Sequence, residues 1–395
     1  MKKSSQPAKQ RQSYRINEYA HDRTVHSLGR GGRNARKKKK RLRGILITVI
    51  LMIVLAAAVW LLWPHMPWGE PKASSQTTAV TTASQSASPT PVQTTQTTAP
   101  TTTAETTKAT TAATTTTINL EERQDMLHAA FTEIAGLLES EPGRFGVYFY
   151  NLVTKESFEY NADQPFVAAS SSKLGTNTYL YTKIASGEVS LDDILIYDNR
   201  PYPTGDYEPG TGTIQNGPNG VKLTVRETSR LSITISDNCA INMIIRSLGG
   251  IDAINPYFNE ISGVIDYRKK VSYTNYDGKV ISGRHRLCPL DLGSQAIELY
   301  RLWKESPSVY QPLIDDLCQT RFDFGIQKGI PSDILVAHKI GTNGTYSAEN
   351  DVGIVFGPEP FVLCVMTEMF SAERGRQIQG EVAKIIYDCL ESLQD

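Results

Sequence analysis

The sequence predicts an α/β domain of the α+β kind over residues 118–395, with one sheet closed from both ends of the domain and an all-helical lobe inserted between. Three observations predict it. Runs rich in β-branched and aromatic residues, bounded by turn residues, stand near both ends of the segment. The stretch between them carries apolar residues at helical spacing. The segment's 278 residues suffice for one substantial core.

Residues 120–138 read as an amphipathic helix. Residues 145–152 and 157–160 read as a strand pair around the turn Thr154-Lys155. A helical block follows from about 173 to 302. Thr224-Val225-Arg226-Glu227 has the capping-box form and starts one of its helices, and Gly249-Gly250 ends the next. Residues 334–339, 352–356 and 362–367 read as strands, and about 373–393 as a last helix.

The chain before this domain differs in composition. The whole sequence has 41 Lys+Arg against 41 Asp+Glu, which as an average excludes a strongly basic nucleic-acid binder. The average hides a split. Residues 1–44 hold fifteen Lys/Arg and two acids, a net charge of +13, so the rest carries −13. Residues 45–63 are 19 residues without a charge, roughly 28 Å as a helix, close to a bilayer's hydrocarbon thickness. Arg36 to Arg43 flank the segment on one side, and Trp60, Trp63 and Trp68 mark the other interface. The expectation is a single-pass cell-membrane anchor with residues 1–44 as a cytoplasmic tail and everything after it outside. Ala56-Ala57-Ala58 resembles a signal-peptide cleavage site, but the tail before it is long and five apolar residues follow it. Residues 64–117 form a linker, of which 77–117 contain 20 Thr in 41 positions. Such a segment buries too little apolar surface to order itself, and reads as an extracellular stalk with a coil span of roughly 35 Å. That length holds a domain off the membrane, within a cell wall.

All five cysteines, Cys239, Cys288, Cys318, Cys364 and Cys389, lie in the domain, without C-x-x-C or zinc spacing. Cys288, Cys364 and Cys389 sit in apolar runs and read as small buried hydrophobes. The six histidines form no zinc motif, so no metal and no cofactor are expected. Gly210-Thr211-Gly212 lacks the third glycine of a dinucleotide fingerprint, and no G-x-S-x-G elbow occurs.

Three short motifs carry chemistry together. Ser170-Ser171-Ser172-Lys173 opens the helical block, and residues three apart share a helix face, so Ser170 and Lys173 can meet. A serine hydroxyl becomes nucleophilic when a neighbour takes its proton, and a desolvated lysine can do so. Alone the pattern is weak, since serine tracts are common. Ser236-Asp237-Asn238 follows an apolar helix: Ser236 can relay a proton to a leaving nitrogen, and Asn238 can hold a substrate amide. Ser, Asp and Asn are equally the residues that cap helix starts. Lys339-Ile340-Gly341-Thr342 ends the strand at 334–339. There a cation would attract a carboxylate, a glycine permits close backbone approach, and the Thr342 N–H can stabilise an oxyanion.

In this order and context the domain resembles the class A β-lactamases and penicillin-binding proteins, whose set is S-x-x-K, S-D-N and K-T-G. The run from Gly210 to Gln215, Leu223 to Glu227, Cys288-Pro289-Leu290-Asp291-Leu292 and Asp351-Val352-Gly353-Ile354-Val355 extend the likeness over essentially all of 118–395. The resemblance implies a five-stranded antiparallel sheet flanked by helices plus an all-α lobe. It implies Ser170 as acylated nucleophile, Lys173 as its proton acceptor and Ser236 as proton shuttle. Asn238 would contact the substrate amide, Lys339 would anchor it electrostatically, and Gly341 would let the strand approach it. The Ser170 and Thr342 N–H groups would form the oxyanion hole. The partner implied is a β-lactam or D-Ala-D-Ala peptide; the cell membrane, through residues 45–63, and the cell wall are expected from the segments before the domain, and no nucleic acid is expected.

Two departures stand out. Ile340 replaces the family's Thr or Ser, losing a hydrogen bond to a substrate carboxylate worth about 1.5–3 kcal/mol. The family's β-lactamases also carry a Glu-x-x-Leu-Asn loop that positions the deacylating water. Between Gly250 and Pro289 the one glutamate is Glu260, and no such motif follows it. Asp266, Asp277 and His285 are the conceivable substitutes, with solvated loop residues as the plainer reading. The expectation is a membrane-anchored serine hydrolase that opens β-lactams through an acyl-serine intermediate and deacylates slowly. The alternatives are a D-Ala-D-Ala carboxypeptidase or transpeptidase, and a binding module without turnover.

Overall fold

The computed structural model describes residues 120–394. The basic tail at 1–44, the apolar segment at 45–63 and the linker at 64–117 lie outside the described residues. Among the described residues no helix is long and apolar enough to cross a membrane.

Helix α1 (Leu120–Ser140) opens the domain, with Leu127, Phe131, Ile134 and Leu138 buried along one face at spacings of three and four. Strands β1 (Gly143–Asn151) and β2 (Ser157–Tyr160) form an antiparallel hairpin. Asn151 closes its turn, its Oδ1 accepting from the N–H groups of Val153 and Thr154 at 2.9 and 3.0 Å. Strand β3 (Phe166–Val167) leads through a one-turn 3-10 helix at Ala169–Ser172 into α2 (Lys173–Ala185). Then come β4 (Ile194–Ile196), β5 (Lys222–Thr224), α3 (Val225–Thr234), α4 (Asn238–Ser247) and α5 (Ile251–Ile261). After these run β6 (Val271–Thr274), β7 (Val280–Gly283), β8 (Arg286–Leu287), α6 (Pro289–Glu305) and α7 (Pro307–Cys318). The chain returns to the sheet through β9 (Val336–Asn343), β10 (Ala348–Val355) and β11 (Phe361–Met369), and ends in α8 (Ala372–Ser392).

The main sheet has five strands in the order β2-β1-β11-β10-β9, every neighbour antiparallel. Both ends of the domain therefore meet at the β1–β11 pair, where Gly143 faces Met369 and Asn151 faces Phe361. Side chains alternate between two cores. Phe145, Val147, Phe149, Leu363 and Val365 pack with α1 and α8, while Tyr148, Val362, Cys364 and Met366 pack with the helical lobe. Covered on both faces, β11 reads as an unbroken buried run.

The helical block needs correcting in detail. Three two-stranded pairs interrupt it: β3 with β8, β4 with β5, and β6 with β7. Each is only two to four residues long per strand, too short for a period-two signal. Helix α7 extends the block beyond residue 302. Pro307 in its first turn and Pro312 inside it disguise it in the sequence. The capping box at Thr224 and Glu227 is present as read, and Gly249 and Gly250 follow α4 with φ of +88° and +91°. Strand β9 begins at Val336 and runs through Asn343, so the third motif lies inside a strand rather than past its end. Thr342 pairs with Glu349 and Gly341 with Asn350. All five cysteines are free thiols; Cys288 and Cys364 are buried as expected, Cys389 on α8 packs against the core only half-buried, and Cys239 is buried as well.

Candidate active site

The three serines preceding Lys173 have three different fates. Ser171 is buried, its hydroxyl donating to Ala168 O at 2.5 Å. The Ser172 hydroxyl donates to Ala169 O at 2.9 Å and accepts from Tyr267 OH at 3.4 Å. Ser170 lines a cavity of about 410 Å³ and, among the described residues, its hydroxyl makes no hydrogen bond. The turn that presents it is held from two directions. Asn350 Nδ2 on β10 donates to Val167 O and Ala168 O, and the Ala168 N–H reaches His285 O. Ala169 takes a left-handed φ of +48°, a conformation that needs such support.

Lys173, the first residue of α2, is 5% exposed. Its Nζ donates to Ser236 O (2.7 Å), Ser236 Oγ (3.2 Å) and Asn238 Oδ1 (2.8 Å). It therefore reaches the second motif, and among the described residues it makes no direct hydrogen bond to Ser170. Burial pushes the ammonium's pKa down to about 7, against the attraction of Asp237 and Glu208. Such an amine is half neutral at physiological pH and can accept a proton.

The second motif divides its labour. Asp237 is the helix cap: Oδ1 accepts from Ala240 N at 3.0 Å, while Oδ2 accepts from Thr213 N and Ile214 N. Gly212, with φ of +111°, passes so close that an added Cβ would fall 2.2 Å from the Asp237 carboxyl carbon. Both readings of this motif hold at once, the cap on Asp237 and the chemistry on its neighbours. Ser236, with φ of +55° and 1% exposure, accepts through one hydroxyl from both Lys173 and Lys339. Asn238 lines the cavity.

Lys339 is fully buried, donating to Ser236 Oγ at 3.1 Å and Ile340 O at 2.9 Å. Desolvation, and then the nearby Lys173 charge, hold its pKa well below that of a free lysine. Gly341 lies against the nucleophile's turn: a Cβ there would meet Ser171 N at 2.5 Å, Ala168 O at 2.6 Å and Ser170 N at 3.1 Å. Only glycine lets β9 come this close. Thr342 lines the cavity, whereas Ile340 is 3% exposed and stays out of its lining.

Every residue singled out in the three motifs is thus brought into one site. The substitutes for the water-positioning loop fare differently. Asp266 lies outside the cavity lining. Despite the desolvation that opposes it, hydrogen bonds from Arg268 and Lys269 hold its carboxyl at about 2. Asp277 is exposed on the β6–β7 hairpin, paired with Lys279. His285 alone reaches the cavity, stacked on Tyr267 at 4.7 Å between ring centroids. Desolvation and the Arg286 charge lower its pKa, so it is neutral at pH 7.

Sequence reasoning missed the rest of the lining, a second wall that includes Tyr202, Glu208, Asn242, Tyr267, Arg286 and Tyr346. Glu208 is the one carboxylate of the lining among the described residues, and Asn242 Nδ2 donates to it at 3.0 Å. It comes from the loop just before Gly210, outside the span where a base was sought.

Comparison with known proteins agrees with this geometry. A family model described as the beta-lactamase enzyme family matches residues 129–390. The β-lactamase of Streptomyces albus G is 28% identical over 281 residues, covering 65% of this chain and 83% of that one. The β-lactamase of Streptomyces fradiae is 26% identical, covering 65% of this chain and 85% of that one. Among solved structures, PBP-A aligns with a TM-score of 0.58 at 26% identity, covering 67% of this chain and 97% of its own. A PBP-A mutant captured as an acyl-enzyme complex with penicillin G aligns with a TM-score of 0.57. An ancestral class A β-lactamase, 23% identical, shares the fold at a TM-score of 0.54. With this fold around these three motifs, the chain belongs to the β-lactamase enzyme family and is a class A β-lactamase-like, penicillin-recognising serine hydrolase.

Proposed function

We propose that the chain is a membrane-anchored, extracytoplasmic serine hydrolase in which Ser170 opens a β-lactam amide and forms an acyl-enzyme that deacylates slowly. The observation that carries the acylation half is the pair of buried lysines converging on one hydroxyl, Ser236 Oγ, beside an unengaged Ser170. Ser170 Oγ attacks the lactam carbonyl carbon while its proton passes to the neutral amine of Lys173. The Ser170 and Thr342 N–H groups hold the oxyanion. The C–N bond breaks, and the nitrogen takes the proton through Ser236. Asn238 holds the acyl-side amide, Gly341 admits the substrate edge against β9, and Lys339 supplies the field for a carboxylate. Ile340 supplies no hydroxyl to it.

Slow deacylation is supported by the absence of a Glu-x-x-Leu-Asn motif between Gly250 and Pro289 and by Glu208 being the one lining carboxylate among the described residues. Water activation then falls to Glu208, an exposed side chain held by Asn242. The same observation favours a second reading, a D-Ala-D-Ala peptidase whose acyl-enzyme persists with β-lactams. A chromogenic β-lactam followed by colour and protein mass tests both. Sustained colour supports the β-lactamase reading. A single stoichiometric mass gain, with D-alanine released from an acyl-D-Ala-D-Ala peptide, supports the peptidase reading. A mass gain with neither marks a binding module without turnover. The anchor rests on residues 1–63 of the sequence. Cleavage within 77–117 by protease added to intact cells is the expected result, and protection of an unglycosylated linker would contradict it.

A further inference from the structure

The lining of the cavity outside the three motifs holds a cation that, among the described residues, has no carboxylate partner. Arg286 is 5% exposed. Its backbone pairs with Val167, two residues before the nucleophile's turn, and its guanidinium lies 5.1 Å from the centroid of the Tyr346 ring. Both residues line the cavity that Ser170 lines. A guanidinium carries five N–H donors. Among the described residues only one bond from them is found, Nη1 to Arg284 O at 2.8 Å, and Nε is buried without an acceptor. No carboxylate pairs with Arg286 among the described residues. The acid whose charge it feels, Glu368, is already committed to Arg144 and to the Tyr273 hydroxyl.

Buried donors are nearly always satisfied, and an unpaired buried cation is costly. A guanidinium at a cavity's lining with N–H donors still unmet, here those of Nη2, fits an incoming carboxylate. Exposed Arg284 lines the same cavity and adds positive charge. Glu208, the lining carboxylate, is held by Asn242 and leaves Arg286 open.

The subsite also has a direction relative to the scissile bond. In the roles proposed above, Ser236 and Lys339 serve the leaving-group end and Asn238 the acyl-side amide; of the three, Asn238 alone lines this cavity. We propose that Arg286 is the anion-binding residue of an acyl-side subsite, so that the preferred acyl donor carries a carboxylate on its acyl portion. The inference rests on the acyl-serine reading above and goes beyond it by naming the substrate class. A β-lactam with an anionic side chain and an acyl-D-Ala-D-Ala peptide with a carboxylate in its acyl group share this chemistry.

The test uses the full-length chain purified in detergent. Benzylpenicillin is compared with its α-carboxy derivative for the rate of Ser170 acylation. Glutaryl-D-Ala-D-Ala is compared with pentanoyl-D-Ala-D-Ala for D-alanine release. The expected result is a preference of about tenfold or more for the carboxylated member in at least one pair. Arg286→Gln should bring that ratio close to one, and Arg286→Lys should keep part of it. Should Arg286→Gln not fold, as judged by its melting curve, the wild-type ratio and the lysine variant decide. Equal rates in both wild-type pairs, or a preference that survives in Arg286→Gln, would overturn the subsite while leaving the acyl-serine reading standing. No adduct and no D-alanine release from any of the four compounds would overturn both.

Discussion

The two walls of the active-site cavity are built on different terms. The first wall, from Ser170–Lys173, Ser236–Asn238 and Lys339–Thr342, is backed by the buried, hydrogen-bonded Lys173, Ser236 and Lys339, and keeps the order of the family's three motifs with Ile340 as the departure in the third. The second wall, from the loop at 202–208, Asn242, the segment after α5 and Tyr346, carries a row of Tyr and Arg side chains, and its stretch of chain between Gly250 and Pro289 holds no Glu-x-x-Leu-Asn motif. The first wall contains what forming an acyl-enzyme requires. On the function proposed above, the second would set what enters and how the acyl group leaves. The difference makes acylation and deacylation separable by mutation within one cavity, because they would draw on different segments of the chain.

The largest effects should come from the first wall. Ser170→Ala removes the nucleophile, and no covalent mass gain with a β-lactam is expected. A gain equal to wild type would remove Ser170 from its role. Lys173→Ala should slow acylation by about 10²–10⁴-fold, the usual range for a general base, while the melting temperature holds because a desolvated cation is lost. Rapid acylation in that variant would exclude Lys173 as the base. The pH dependence follows from its lowered pKa of about 7, against 10.5 for an ordinary lysine. The amine is neutral above that value, so the acylation rate should rise as pH rises through about 7 and then level off. A profile flat from pH 5 to 8 would contradict it.

Effects at the second wall should be smaller and confined to the second step. Glu208→Gln should slow release of the acyl group by about tenfold to a hundredfold, the low end for a general base because the side chain is exposed, with acylation moving by only a few-fold. Measured release equal to wild type would move the water's base elsewhere, with His285 next in reach. Asp277→Asn, on the hairpin's exposed surface, should change neither step, and its failure to do so would redraw this wall.

The contrast also explains what could be read from sequence. The sheet strands were legible because β11 is buried on both faces and β1 alternates between two cores. The first wall was legible because its motifs are short and local, and because Gly341 and Gly212 stand where any side chain would collide with backbone or carboxyl atoms. The second wall was hidden. Glu208, Tyr267 and Arg286 are far apart in the chain, and loop folding alone brings them together. The Lys173–Ser236 contact, spanning 63 positions, likewise depends on how α3 and α4 pack rather than on the helix-face proximity of Ser170 and Lys173.

The central claim is that acylation at Ser170 outpaces deacylation. Its most direct test is the intact mass of the wild-type chain over time after a stoichiometric pulse of benzylpenicillin, with the modified peptide sequenced. The account predicts a gain of one intact penicillin on the peptide containing Ser170, forming quickly and decaying far more slowly than it forms. No adduct, an adduct on another residue, or one that decays as fast as it forms would contradict it.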